Sequence, residues 1–413
     1  MTAPIRIDAD RLRSILDGIN GFGRNAATRG FDRVGFSDAD MAVRRWFAAR
    51  MAEEGLATRT DGAANVWGRF GPSEGPAIVA GSHLDTVPNG GAFDGALGVA
   101  AAFEAVLSMR DAGLVPKRAV EIVATAEEEG RFGGMLGSQA IAGLVTREWL
   151  ESARDADDVR LWEAMAAQSL DPLAALDARR APEEIAAFLE LHIEQGPILE
   201  REGIAIGLAH TVSGMASLSG RFRGHANHSG TTPMDLRADA FAGLAAFAQE
   251  IPTLIARQGT AESRITIGKV ELQPNFPHTI PGEAAFTVIV RDTDAAVMHR
   301  LVAGLQKPAG KSAADHDLGF DLDVTTWLDP VGLDPALFQD LTAIAERTGT
   351  PHRPMPSGAG HDAQTMQSLC PSALIFVPSR GGVSHAPEEF TEWSAIVTGA
   401  NLLAEAVAEL ALR

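Results

Sequence analysis

The residues best suited to chemistry lie in Gly81-Ser82-His83-Leu84-Asp85-Thr86-Val87 and Phe93-Asp94-Gly95, where a histidine and two aspartates sit in a glycine-rich loop after a short apolar run. A second cluster, Glu127-Glu128-Glu129-Gly130, follows the apolar run 119–126. Two strand ends would then deliver imidazole and carboxylate groups that could converge on one point. Nitrogen and oxygen donors of this mix suit zinc, and also manganese, cobalt or nickel. Taken singly, a loop histidine is a surface residue and three glutamates are a solvated face or a helix start. Here the glutamates end a strand, and a cation relieves the repulsion of adjacent carboxylates where bare protein does not.

Strand ends need a sheet to hold them. Residues 1 to about 212 alternate helix and strand patterns. Ser37-Asp38-Ala39-Asp40 predicts a capped helix to about Glu54, with Gly55 as its stop. Residues 76–82 and 119–126 are nearly continuous apolar runs, as expected of strands buried on both faces of a mainly parallel sheet. Between them, 95–112 predicts a small-residue helix crossing over the sheet. Residues 147–187 read as helical, 188–194 as strand, 372–377 as strand and 389–412 as a closing helix.

From about residue 213 the pattern changes. Residues 213–224 alternate, 238–256 are helical, 263–272 and 284–291 are strands, 295–305 are helical and 320–326 are a strand. That order, βαββαβ, predicts a ferredoxin-like α+β unit. The expected organisation is an α/β catalytic domain in two parts, 1–212 and 330–413, interrupted by an inserted domain over 213–329.

A chain of 413 residues, 46% hydrophobic and 22% charged, has the composition of a soluble globular protein. A formal charge of −19 with no basic run argues against nucleic-acid binding. Residues 1–8 lack the apolar segment of a signal peptide, and no later apolar run approaches the ~20 residues of a membrane span, so the expectation is a cytoplasmic protein with no membrane partner. The single cysteine, Cys370, excludes an intrachain disulfide and fits a reducing compartment; with no basic partner near it in sequence, its expected role is packing at a helix end. A serine hydrolase has little support in the sequence.

Taken in order, the two loops above, Glu127-Glu128-Glu129-Gly130-Arg131-Phe132, Leu191-His192-Ile193-Glu194-Gln195-Gly196-Pro197, Gly230-Thr231-Thr232-Pro233-Met234, Gly358-Ala359-Gly360-His361-Asp362-Ala363 and Ser384-His385 resemble the motifs of the M20 family of dinuclear-metal amidohydrolases and peptidases, in its hydantoinase/carbamoylase branch. The resemblance implies a zinc-exopeptidase-like catalytic domain, its mainly parallel sheet flanked by helices, with the inserted domain as lid and dimerisation surface. It also implies two divalent metal ions per subunit and a homodimer acting on a small-molecule substrate.

Carried over by position, the resemblance makes His83, Asp94, Glu129, His192 and His385 the metal ligands. Asp94 would bridge two ions, with His83 and His192 on opposite ions or opposite sides of the pair. Glu128 would be the general base, taking a proton from water and returning it to the leaving nitrogen. Asp85 reads as an acceptor that orients a metal-bound imidazole, or else as a loop-capping aspartate. His228 would reach the partner subunit's site and help stabilise the tetrahedral intermediate. Substrate recognition would rest on Gln195, on the loop around Gly360 and on Arg291, whose guanidinium matches a substrate carboxylate or else pairs with Asp292 or Asp294. His361 would contact substrate or support a ligand.

Three positions depart from the family pattern: Ser229 where Ala is commoner, a slightly shorter loop over 130–135, and His278 where carbamoylase-like members carry Asn. The expected reaction is hydrolysis of a linear amide or ureido C–N bond in a carboxylate-bearing substrate. N-carbamoyl-L-amino acids lead, followed by allantoate, then by an N-acyl amino acid, whose weight His278 raises. A non-catalytic binding protein of the same fold is the rival from another class, and the presence of Glu128 with all five candidate ligands speaks against it.

Overall fold

The two apolar runs that precede the candidate residues form adjacent parallel strands, Ala77–His83 and Val120–Thr125, buried along their whole length. A third parallel strand, Ile185–Ile193, pairs with the first, and a fourth, Ser372–Val377, pairs with the third. Burial on both faces explains why these segments read as continuous apolar runs rather than alternating ones. Antiparallel strands extend the sheet on either side: Val66–Phe70 and Ala57–Thr60 beyond Val120–Thr125, and Ile206–Val212 beyond Ser372–Val377. The result is a nine-stranded mixed sheet with a parallel centre.

A computed structural model of the chain describes residues 5–413, and the part of the N-terminal reading that falls on residues 1–4 lies outside the described residues. The chain divides into two units, one comprising everything up to His210 together with Leu333–Arg413, the other Thr211–Gly332.

In the larger unit, the helix Ala96–Asp111 is buried from Ala96 to Met109, which its run of small side chains permits, and it packs on the strand Ala77–His83 and on the helix Trp393–Leu412. That last helix is long and apolar enough to cross a membrane by length and composition, which corrects the expectation that no apolar run reaches that length. It is 67% buried inside the fold, against the sheet and Ala96–Asp111, as a core helix is. It begins at Trp393 rather than near 389. The capped helix runs Asp38–Glu53, with the Ser37 hydroxyl accepting the Asp40 N–H at 3.2 Å.

The helical reading of 147–187 is corrected. That region holds two short helices, Arg147–Ser152 and Leu161–Ala167, then a 3-10 helix at Pro172–Ala178 and a single 3-10 turn at Pro182–Glu184. Proline at the start of each turn, with no N–H to donate, prevents continuation of a helix through it, and strand structure resumes at Ile185.

The smaller unit is a four-stranded antiparallel sheet of Gly214–Arg223, Arg264–Gln273, Glu283–Asp292 and Gly319–Leu328, in spatial order fourth, first, third, second. Helices Ala240–Gln258 and Ala295–Asp315 complete the βαββαβ order. Burial alternates along Glu283–Asp292, so one sheet face carries a core of Phe222, Phe247 and Phe286 beneath the helices. The second helix runs ten residues past the expected end at 305, with Pro308 inside it. A small ladder of Asn227–His228 with Thr279–Ile280 has no counterpart in the sequence reading.

Candidate metal centre

Four central parallel strands end on the same side of the sheet, and the candidate residues lie at or just beyond those ends. His83 closes its strand, Glu128 and Glu129 follow Val120–Thr125, and His192 is the penultimate residue of Ile185–Ile193. Asp94 immediately precedes the Gly95 cap of Ala96–Asp111, and His385 lies between Ser372–Val377 and the closing helix. In an open α/β sheet the carboxyl ends of parallel strands form the crevice where ligands bind.

Asp94 is the centre of the arrangement. Its Oδ1 lies 3.1 Å from His192 Nε2 and 3.3 Å from His83 Nε2, and its Oδ2 lies 3.4 Å from His385 Nε2. His385 Nε2 is in turn 3.3 Å from Glu129 Oε2. Two donor sets result, His83–Asp94–His192 and Asp94–Glu129–His385, with Asp94 common to both. His83 and His192, expected on opposite ions or on opposite sides of the pair, both face the same Asp94 oxygen, and His385 with Glu129 lies at the other.

The ring tautomers are fixed by the backbone. His83 Nδ1 faces the Asp85 carbonyl at 3.0 Å and His192 Nδ1 faces the Ile193 carbonyl at 2.9 Å; a carbonyl only accepts, so both Nδ1 atoms carry the hydrogen. In the neutral rings each Nε2 lone pair faces Asp94 Oδ1, which repels unless a proton or a metal cation lies between them, and His192 Nε2 also lies 3.3 Å from the Gly95 N–H. Glu128 Oε2 is 3.6 Å from the same His83 Nε2.

Supporting groups hold these side chains. The expected Asp85 contact with the His83 ring is made by its carbonyl; the carboxylate, 3.9 Å from the ring, accepts the backbone N–H groups of Glu128 at 3.3 Å and Glu129 at 3.1 Å. Gln195 donates its amide to Asp94 Oδ2 at 2.7 Å, and Ser384 donates its hydroxyl to the same oxygen at 2.8 Å. Glu389 was missed by sequence reasoning: its Oε1 accepts the N–H groups of Phe93 and Asp94 at 2.8 and 3.1 Å. The available signal was an acidic residue four positions after His385 where a solvated helix start was expected. Gly91 and Gly95 make room for these contacts. A Cβ on Gly91 would stand 2.1 Å from the Glu389 carboxylate, and one on Gly95, whose φ is +62°, would stand 2.5 Å from the His83 ring.

The electrostatics call for positive charge. Burial raises Glu128 well above the ordinary carboxyl range, with Glu129, Asp362 and Asp85 adding to the rise and His83 opposing it. Burial and the neighbouring Asp94 push Glu129 up to about 7. Burial alone would lower His83, but Glu128, Asp94 and Asp85 outweigh it and raise the imidazole well above its usual value. His385, hydrogen-bonded to Asp94, rises to about 9. Each shift records carboxylates crowded in a low-dielectric space, which a cation would relieve.

His361 is buried with its ring edge-on to His192 at 4.6 Å and its Nε2 3.0 Å from the Ser357 hydroxyl, and burial lowers its basicity well below the usual imidazole value. It therefore packs against a candidate ligand, and Gly360 beside it leaves space that Met135 fills. His228, His278 and Arg291 belong to the smaller unit. The exposed His228 accepts the N–H groups of Gly230 and Thr231 at Nδ1, at 3.0 and 3.2 Å, which leaves its hydrogen on Nε2. His278 precedes Thr279, the ladder partner of His228, and its carbonyl accepts the Ser229 N–H at 3.0 Å. The Arg291 guanidinium is half-buried, 3.6 Å from Met215 Sδ.

Comparison with known proteins accords with this geometry. The pattern of Peptidase family M20/M25/M40 matches residues 79–409. Among curated proteins, the N-carbamoyl-L-amino-acid amidohydrolase of Paenarthrobacter aurescens is 35% identical over 96% of this chain and 97% of its own length. The allantoate amidohydrolase of Escherichia coli K12 is 36% identical over 97% of each. Among solved structures, an amidase of the hydantoinase/carbamoylase family from Burkholderia multivorans superposes with a TM-score of 0.90 at 33% identity, covering 99% of both chains. The chain belongs to the M20 peptidase family, with the hydantoinase/carbamoylase amidases as its structural neighbours.

Proposed function

We propose that this protein is a metal-dependent amidohydrolase that cleaves the ureido C–N bond of an N-carbamoyl-L-amino acid. The observation that carries the reading is the pair of donor sets sharing Asp94, with the Glu128 carboxylate beside them. The residues fit divalent cations: imidazole Nε2 lone pairs and carboxylate oxygens are directed at common points, and the Nδ1 atoms are already committed to carbonyls. His83 and His192 would hold one ion, Glu129 and His385 a second, and Asp94 both; zinc, manganese, cobalt and nickel all accept such donors. When bound, such a pair supplies a lowered water pKa and polarisation of the substrate carbonyl.

The protein's own groups would carry the proton. Glu128 takes one from the water that attacks the carbamoyl carbon and returns it to the amino acid nitrogen as the C–N bond breaks. The tautomer of His228 presents an Nε2–H suited to a developing oxyanion in a second copy's site, which makes a homodimer part of the proposal. Arg291 would pair with the substrate carboxylate, and His278, larger than the asparagine it replaces, would restrict the substrate side chain. A cytoplasmic setting is proposed from the lone buried Cys370.

One atom favours a ureido over an acyl substrate. Gln195 Oε1 is buried and has no hydrogen-bond partner among the described residues. A carbamoyl NH2 can donate to it, whereas an acyl methyl cannot. Allantoate also carries NH2 groups and is the second reading. A panel of N-carbamoyl-L-amino acids, allantoate and N-acetyl-L-amino acids, assayed with added manganese or zinc for ammonia and free amino acid, tests the proposal. Equimolar ammonia and L-amino acid from the carbamoyl compounds is the expected result. Ammonia from allantoate alone selects the second reading, and turnover of acetyl compounds alone overturns both.

A further inference from the structure

We propose that Arg44 is a positioning residue for this reaction, acting through Asp85 to fix the backbone of Glu128 and Glu129. The inference rests on the amidohydrolase reading above. Asp85 is 1% exposed, and each of its carboxylate oxygens accepts the N–H of one glutamate. A carboxylate so buried needs a countercharge, and without one it turns away from its place. With Asp85 turned away, the N–H groups of Glu128 and Glu129 lose their acceptors and the turn they form loosens.

Arg44, on the helix Asp38–Glu53, is 2% exposed and places Nη2 3.7 Å from Asp85 Oδ1. That Nη2 has no hydrogen-bond partner among the described residues, while every other arm of the guanidinium is tied down. Nε donates to Asp40 Oδ1 at 2.8 Å, and Nη1 donates at 3.3 Å to the carbonyls of Ala64 and of Ala124, in the strand that leads to the glutamates. Asp40, itself fully buried, accepts the Phe36 N–H through its other oxygen at 2.9 Å. Arg33, the other buried guanidinium of this region, donates instead to the carbonyls of Leu84 and Phe22 and to Asn20. Asp40, Arg44 and Asp85 thus form a line of buried charges from a helix to the two glutamates.

The test compares Arg44→Met, Asp85→Asn, the double variant and Arg44→Lys in two assays: calorimetric zinc titration of metal-stripped protein, and kcat and KM on the best carbamoyl substrate. Arg44→Met is expected to weaken zinc binding and lower kcat about tenfold or more, the effect of losing support behind a metal ligand, with KM within about twofold. Arg44→Lys should recover part of both losses. In the Asp85→Asn background Arg44→Met should add nothing, because the group it acts through is already gone. Losses that multiply in the double variant, or an Arg44→Met protein with the parent's zinc affinity and kcat, overturn the proposal. Should Arg44→Met fail to fold, Asp40→Asn replaces it in the same cycle. Should the parent turn over no compound of the panel, the amidohydrolase reading fails while the zinc cycle still decides the role of Arg44.

Discussion

The carboxylate of Glu389 accepts the backbone N–H of Asp94 at 3.1 Å, so the residue shared by both donor sets is gripped from behind by an acid 295 positions later in the chain. The same Oε1 takes the Phe93 N–H, and Oε2 lies 3.0 Å from the oxygen of Ser384, whose single hydroxyl hydrogen is donated to Asp94 Oδ2. Glu389 therefore fixes the main chain of Asp94, while Ser384 and Gln195 hold its side chain.

Replacing Glu389 with alanine leaves the N–H groups of Phe93 and Asp94 without their acceptor. Metal affinity should fall by roughly 10- to 100-fold, as for other groups that orient a ligand. Zinc titration of the metal-stripped variant checks this, and an unchanged affinity would remove Glu389 from the site.

Gly95 has φ of +62° and no room for a Cβ, which would meet the His83 ring at 2.5 Å. Gly95→Ala combines left-handed backbone strain with displacement of a candidate ligand, and should cost about 1–3 kcal/mol in stability. Urea unfolding in chelator measures that cost. Zinc added to the same samples should protect the variant less than the parent, because only the parent keeps His83 in place.

The strands that carry the site were legible because they are buried on both faces: 76–82 and 119–126 differ from the observed Ala77–His83 and Val120–Thr125 by a residue or less at most ends. Polar grouping at their ends made His83, Asp94 and the glutamates visible for the same reason. Among the described residues, helices Ala9–Ile19, Leu136–Ala142, Ile198–Glu202, Pro335–Thr348 and Asp362–Met366 passed unread, although Ala9–Ile19 and Pro335–Thr348 carry aspartate caps, Asp8 and Asp334, and the latter has Pro335 in its first turn. What sequence could not give was convergence. Nothing in the spacing of Glu389, Gln195 or Arg44 tells which distant group each will hold, because those contacts span 295, 101 and 80 positions. The division of ligands between the two sides of Asp94 depends likewise on ring orientation, set by the carbonyls of Asp85 and Ile193.

Cys370 is 5% exposed, and burial pushes its thiol up to about 11. A folded-state value that far above the ordinary one keeps the group protonated through neutral and mildly alkaline pH, so little reactive thiolate exists. Ellman's reagent at pH 8 should therefore label the native protein slowly and the urea-unfolded protein at once. Rapid stoichiometric labelling of the folded chain would show that the site opens.

Glu128 and Glu129 are neighbours in sequence with different contacts: Glu128 faces His83 Nε2 at 3.6 Å, whereas Glu129 faces His385 at 3.3 Å. The proposed division of labour makes their variants differ in kind. Glu128→Gln keeps the size of the side chain and removes its basicity, so zinc affinity should stay within about threefold of the parent while kcat falls by about 10²–10⁴-fold, the usual contribution of a general base. Glu129→Gln removes a charged donor from the set it shares with Asp94 and His385, and its first effect should be weaker binding of one metal equivalent, with activity partly restored by excess metal. Measuring both variants by calorimetry and by single-turnover kinetics at saturating metal separates the roles. A Glu128→Gln protein with the parent's kcat would end the base assignment, and a Glu129→Gln protein that binds metal as the parent does would move the second donor set elsewhere.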